Sequence, residues 1–158
     1  MRKFLLKAVF LLLSSQCVAQ SRGLILTGGL IYQKRWTGDF AIMYGGYDSG
    51  GPCNPSAETG VGLGAEFVST LEGKMVIAPK IVCQAGSIIG FRASEINYLH
   101  GNGSVDVRLL PQIGIDMIWI NLFYGYNIHL FGSKFTDISS HRVSLNFNLF
   151  VNTRRKKK

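Results

Sequence analysis

Hydrophobic and polar positions alternate with a period of two along most of this chain. Residues 141–151 carry the pattern in its plainest form. Val143, Leu145, Phe147, Leu149 and Val151 fall on one side, and Arg142, Ser144, Asn146 and Asn148 on the other, with Phe150 the exception. Successive side chains of a strand point to opposite faces, so the spacing predicts a strand with one apolar face. Residues 104–116 repeat it. Val105, Val107, Leu109, Pro111, Ile113 and Ile115 oppose Asp106, Arg108, Gln112, Gly114 and Asp116, with Leu110 out of step. Residues 118–130 extend it: Ile118, Ile120, Leu122, Tyr124, Tyr126, Ile128 and Leu130 oppose Trp119, Asn121, Phe123, Gly125, Asn127 and His129.

The earlier segments are less regular. Residues 59–68 set Val61, Leu63, Ala65 and Phe67 against Gly60, Gly62, Gly64 and Glu66. Residues 75–85 set Ile77, Pro79, Ile81 and Cys83 against Ala78, Lys80 and Gln84. Residues 87–99 are mixed in parity. Residues 24–33 and 39–47 are apolar, glycine-containing runs separated by the connection 34–38. This makes eight strands of roughly ten residues, divided by Gly, Asn, Asp and Ser clusters that favour turns. No helical period and no internal repeat interrupt them.

Eight such strands suit a soluble barrel or sandwich, or an outer-membrane barrel, and periodicity alone does not say which face points inward. Length does. Globular strands average ~5–6 residues, whereas a tilted strand needs ~9–11 to cross a bilayer. With no second apolar face, the pattern fits a barrel that is polar inside and apolar outside. The expected fold is therefore all-β: an eight-stranded antiparallel up-and-down transmembrane β-barrel. Tyr32, Trp36, Tyr98, Tyr124 and Tyr126 are candidates for its interfacial aromatics.

The chain has 158 residues, enough for one domain. Its N-terminus reads as export machinery rather than fold. Arg2, Lys3 and Lys7 precede the apolar run Ala8-Val9-Phe10-Leu11-Leu12-Leu13, and Ala19 stands before a polar boundary. This is the form of a secretory signal peptide over residues 1–19. The run falls short of the ~18–20 apolar residues of a helical span, and no later segment reaches that length. The formal net charge of +8 then has a plain origin. Three cations lie in the signal segment and five in Arg154, Arg155, Lys156, Lys157 and Lys158, while the body between them carries nine cations and nine anions. A nucleic-acid partner needs cations clustered on the folded domain, so that class is excluded. The expected domain division is 1–19 signal peptide, 20–151 barrel and 152–158 basic tail.

Four stretches carry a resemblance: Ala78-Pro79-Lys80-Ile81; Arg108-Leu109-Leu110-Pro111-Gln112-Ile113-Gly114; Leu122-Phe123-Tyr124-Gly125-Tyr126-Asn127-Ile128; and Ser140 through Leu149. In their order and spacing they resemble small outer-membrane β-barrel proteins of Gram-negative bacteria. The resemblance implies an eight-stranded barrel with both termini in the periplasm, usually without a catalytic role. Two features depart from it. Such barrels usually end on an aromatic residue, but here eight residues follow Phe150, and the connection 48–58 is long for a periplasmic turn.

An eight-stranded barrel is just wide enough to be filled by its own side chains. Charges on its inner face must then pair, because isolated buried ions are costly. Glu66, Lys80, Asp106, Arg108 and Arg142 are the expected interior network, with Arg92 or Glu95 as further members, and Gly60, Gly62 and Gly64 as the room for the long cationic chains. The alternative use of such a network is a gated path for an ion or solute. Cys53 and Cys83 are both expected at the periplasmic rim, where an oxidising compartment allows a disulfide; the alternative is that both are free. His100, His129 and His141 are expected on the outer rim with Asp137, Ser139 and Ser140. These are the parts of a nucleophile–base–acid set without a diagnostic spacing. Zinc-ligand spacings and a phosphate-cradling loop are not found, and no cofactor is implied. The loop 131–140, with Lys134, Phe135 and Asp137, is the longest outer-face candidate. Taken together, the residues suggest an exported monomer in the outer membrane. Its partners would be membrane lipids, with lipopolysaccharide or cell wall as further candidates. The expected role is structural or surface-interacting. A rim enzyme acting on lipid or lipopolysaccharide, or a soluble exported barrel binding a small apolar ligand, are the alternatives.

Overall fold

The computed structural model describes residues 21–48, 57–69, 73, 75–99, 103–117, 119–136 and 138–155. The segments are β1 (Ser21–Tyr32), β2 (Trp36–Asp48), β3 (Ala57–Ser69), β4 (Met75–Gly86), β5 (Ile89–Leu99), β6 (Val105–Met117), β7 (Ile120–Tyr126), β8 (Ile128–Gly132) and β9 (His141–Arg155). Each pairs antiparallel with its sequence neighbour from β1 to β6. β7 and β8 both lie along β6 and together make one stave. β9 pairs with β7 on one side and β1 on the other, which closes the ring. The result is an eight-stranded, antiparallel, up-and-down closed barrel. Closure leaves every stave a neighbour on both sides over most of its length, which removes the unpaired edges of an open sheet.

The alternation decides which residues go inside. β2 buries Thr37, Asp39, Ala41 and Met43 and exposes Trp36, Phe40, Ile42 and Tyr44. β9 buries Arg142, Ser144, Asn146 and Asn148 and exposes Val143, Leu145, Phe147, Leu149 and Val151. The mixed segment resolves as β5, with Gly90, Arg92, Ser94, Ile96 and Tyr98 inward. The lumen is therefore the polar side and the outer surface the apolar side.

Three boundaries differ from the sequence expectation. The connection between the first two strands is 33–35 rather than 34–38, because Tyr32 and Trp36 already pair. The strand expected at 118–130 breaks at Asn127. Its backbone N–H donates to the Ser140 carbonyl at 2.7 Å and its Nδ2 to the Ser139 carbonyl at 2.7 Å, so the bonding there leaves β9 for the loop that precedes it. β9 runs on to Arg155, with Arg154 opposite Arg22, so the ladder takes in the first part of the basic C-terminal segment.

Two glycines have specific structural work. Gly132 ends β8 at φ 96°, a left-handed conformation that favours glycine, and turns the chain toward the barrel mouth. Gly62 lies where β2 approaches closely: a Cβ there would run into the Ile42 carbonyl oxygen and come within 2.5 Å of Met43 Cα. Gly60, Gly62 and Gly64 do face inward, but what they accommodate is the β2 backbone and the side chains of Met43 and Ile25, not long cations.

Candidate functional site

The lumen is stacked in layers along the barrel axis. At the end opposite the chain termini, Val68, Ala78, Ile96, Tyr98 and Leu110 form an apolar layer with Phe135 and Ile138 from the loop 133–140. That loop is the outer-face candidate of the sequence, expected there as a surface loop. Instead it folds into the mouth, burying Phe135 and Ile138 to 8% and 6% exposure while Lys134 stays exposed. Phe135 stacks on Tyr98, with ring centroids 5.9 Å apart.

Asp106 and Arg108, two residues apart on the same face of β6, hold the loop there. Arg108 Nε and Nη2 donate to Asp106 Oδ2 at 2.9 and 2.7 Å. Nη2 also donates to the Phe135 carbonyl at 2.7 Å, and the Phe135 N–H donates to Asp106 Oδ2 at 2.6 Å. The guanidinium lies 5.6 Å from the centre of the Tyr98 ring. His129 Nε2 is 3.6 Å from Asp106 Oδ1. A carboxylate–guanidinium pair is the strong form of hydrogen bond, and here it grips backbone groups that burial would otherwise strand.

The middle layer is a second network. Arg142 Nη2 and Nη1 donate to the two Glu66 oxygens at 2.7 and 3.1 Å. Tyr98 donates its hydroxyl to Glu66 Oε2 at 3.0 Å. Lys80 Nζ donates to Asp39 Oδ1 and lies 3.6 Å from Glu66 Oε1. Arg92 Nη2 lies 3.6 Å from Asp39 Oδ2. Asn146, with its carboxamide oriented to suit both neighbours, accepts from Arg92 Nη1 at 2.9 Å and donates to Asp39 Oδ2 at 3.2 Å.

All five expected network residues face the lumen and are at most 3% exposed. They belong to two networks, however: Glu66, Lys80 and Arg142 in the middle, Asp106 and Arg108 at the mouth. Tyr98 touches both. Arg92 joins the middle layer, whereas Glu95 points outward and is exposed. Asp39 and Asn146 are members that sequence reasoning passed over. The signal was there for Asp39, since small or polar inward positions alternate with Phe40, Ile42 and Tyr44. Tyr98 is buried in the lumen and is not an interfacial aromatic. Tyr32, Trp36, Tyr124 and Tyr126 do face outward.

A third layer lies toward the chain termini. Ile25, Ala41, Met43 and Val82 make a small apolar cluster against which Phe150 packs, which explains its break in parity. Beyond it sit Glu58, Gln84, Asp116, Asn121 and Asn148. Asn148 Nδ2 donates to both Glu58 oxygens at 3.0 and 3.1 Å, and Asn121 Nδ2 to Glu58 Oε1 at 3.3 Å. Gln84 Nε2 donates to Glu58 Oε1 and, at 3.3 Å, to Asp116 Oδ2.

Among the described residues, the rim side chains do not assemble into a nucleophile–base pair. The Ser139 hydroxyl accepts from the backbone N–H of His141 at 3.3 Å, while the His141 ring pairs through Nδ1 with the Tyr124 hydroxyl at 2.5 Å on the outer surface. His129 Nε2 faces the Gly132 carbonyl at 3.2 Å. His100 and Asp137 lie outside the described residues, as does Cys53. Cys83 faces outward, half-buried, and has no disulfide partner among the described residues. No protein-family model, no curated protein and no solved structure matches the chain.

Proposed function

We propose that this chain is an exported outer-membrane β-barrel of the Gram-negative type. Its eight staves would span the bilayer, its lumen would be closed by its own side chains, and its role would be structural or surface-interacting. One observation carries the reading: apolar side chains face outward on every stave while charged side chains are buried inside. Leu30, Ile42, Leu63, Ile81, Phe91 and Leu122, from six staves, are each 45–68% exposed, and similar residues continue around the ring. Soluble monomers rarely expose a contiguous apolar patch above a few hundred Å². A belt of this kind is stable where lipid covers it. No helix among the described residues is long and apolar enough to cross a membrane, so any crossing falls to the strands.

Two further points support the detail. Tyr124, Tyr126 and Trp36 lie outward near one end and Trp119 near the other, as interfacial aromatics do in membrane barrels. Glu66, Lys80, Arg108 and Arg142 are 0–3% exposed, whereas the lining of a water-filled channel retains accessible surface. The soluble alternative binding an apolar ligand needs the reverse distribution, apolar within and polar without. On this reading residues 1–19 direct export, the termini face the periplasm, and the C-terminal cations stand near anionic headgroups or cell wall. Fractionation with heat-modifiable gel mobility tests it. The chain is expected with the outer membrane, migrating faster unheated than boiled; recovery in the soluble fraction would refute the proposal.

A further inference from the structure

Among the described residues, five acidic side chains face the lumen. Asp39, Glu66 and Asp106 each have a Lys or Arg nitrogen within 3.6 Å. Glu58 and Asp116 have no such partner among the described residues. They hydrogen-bond to each other, and they accept from the amide N–H groups of Gln84, Asn121 and Asn148. Arg92, which sits opposite Gln84 in the β4–β5 ladder, has its ion pair with Asp39. Two adjoining carboxyl groups are thus buried, at 3% and 2% exposure, with no Lys or Arg nitrogen in ion-pair range among the described residues. Burying an ion without a counter-charge is among the costliest arrangements a fold can hold.

The surrounding amides add a second observation. Gln84 and Asn121 are 1% and 0% exposed, and the carbonyl oxygens Gln84 Oε1 and Asn121 Oδ1 have no donor. Asp116 Oδ1 also lacks one. Gln84 Nε2 lies against both carboxylates, so a half-turn of its carboxamide would exchange Nε2 for Oε1 and set an oxygen where the two acids converge. The same turn at Asn121 would set Oδ1 toward Glu58. An amide's two ends are nearly equal in shape, so such a turn costs little packing. Asp116 is firmly seated: a Cβ on Gly90 would lie 2.6 Å from its Cβ and 2.8 Å from its Oδ2.

We propose that this terminus-side mouth of the barrel binds a hard divalent cation, Ca²⁺ in preference to Mg²⁺, between Glu58 and Asp116. The two carboxylates supply the compensating charge. Their oxygens with Gln84 Oε1 and Asn121 Oδ1 approach the ~6–8 oxygens that Ca²⁺ takes, water completing the shell. Mg²⁺ demands stricter octahedral geometry and loses its water reluctantly, which this mixed set does not favour. No three His, Cys, Asp or Glu side chains gather among the described residues, so the amide oxygens are a necessary part of the site. Asn148, donating to both Glu58 oxygens, is a positioning residue.

The test uses the folded full chain, in detergent or, should it prove water-soluble, in plain buffer, so its outcome does not depend on the membrane reading. After EDTA treatment and removal of chelator, CaCl₂ is titrated calorimetrically and thermal unfolding is followed with and without it. One saturable site is expected, with Kd on the order of 10⁻⁴ M. Glu58→Gln and Asp116→Asn should each weaken it about tenfold or more, and Glu95→Gln, on the outer face, should leave it unchanged. The stability order should also invert. Without Ca²⁺, Glu58→Gln unfolds at or above the wild-type temperature; with Ca²⁺ it unfolds below. Absence of saturable binding to the folded wild-type chain at ~10 mM Ca²⁺, well above this range, overturns the proposal and leaves a proton shared by the two acids. Unaltered affinity in both variants overturns it as well.

Discussion

Arg142→Met offers the most direct test of the middle network. The substitution keeps an unbranched chain in place of the aliphatic stem but removes the guanidinium that donates twice to Glu66, at 2.7 and 3.1 Å. Glu66 is fully buried, so the loss leaves a carboxylate with weaker support rather than one that can turn to water. Breaking one side of a buried ion pair typically costs ~3–5 kcal/mol. Here Lys80, 3.6 Å away, and the Tyr98 hydroxyl, at 3.0 Å, remain to hold Glu66, which sets the expectation near the lower end, at about 3 kcal/mol. Glu66→Gln combined with Arg142→Met removes one charge of each sign and leaves the balance of Asp39, Lys80 and Arg92 unaltered. The double variant should recover to within about 1 kcal/mol of wild type, since replacing both members of a buried pair is often near neutral. The coupling energy should then be about 2 kcal/mol or more, as neighbours in one network give. Urea unfolding in lipid vesicles, followed by loss of the heat-modifiable gel species, measures all four corners of the cycle. A single variant within ~1 kcal/mol of wild type, or a double variant showing the sum of both losses, would refute the network as described.

The other predictions concern separate parts of the molecule. Arg108→Ala should lower the melting temperature of the folded barrel and expose the loop 133–140 to protease, because Arg108 ties the Phe135 carbonyl to Asp106; an unchanged gel-shift melt with an uncut loop would contradict this. Gly62→Ala should destabilise the barrel by ~1–3 kcal/mol through overpacking against the β2 backbone, measured by the same unfolding assay. Leu122→Arg, on the outer belt at 46% exposure, should cost up to ~2–4 kcal/mol in a bilayer, as a cation near the midplane of a membrane barrel does. In a water-covered barrel it would change stability by no more than ~0.5 kcal/mol, so this variant also separates the two environments.

Strand number and parity were legible from local pattern alone. A strand's side chains alternate whatever it pairs with, so Val143 to Val151 and Ile113 to Met117 declare their faces without reference to any neighbour. The lumen charges followed from the same parity, and all five expected members are buried. Their partners were not legible. Whether Arg142 meets Glu66 or Asp106 depends on the stagger between strands far apart in sequence, a property of closure that no segment contains. Asp39 had a readable inward parity against Phe40, Ile42 and Tyr44, but no segment shows that its partners are Lys80 and Arg92, from other staves.

The inward fold of the loop 133–140 is the clearest case. Read along the chain, Phe135 and Ile138 are apolar residues in a polar connection with no period to assign them. They are buried because β6 places Asp106 and Arg108 on the lumen side at the mouth, and because Gly132 turns the chain there. Local sequence therefore settled what alternation can settle: eight staves, and which side chains share a face. Tertiary closure settled which charges meet across the lumen and how one mouth is covered, because those follow from distances between staves rather than from the order of residues within one.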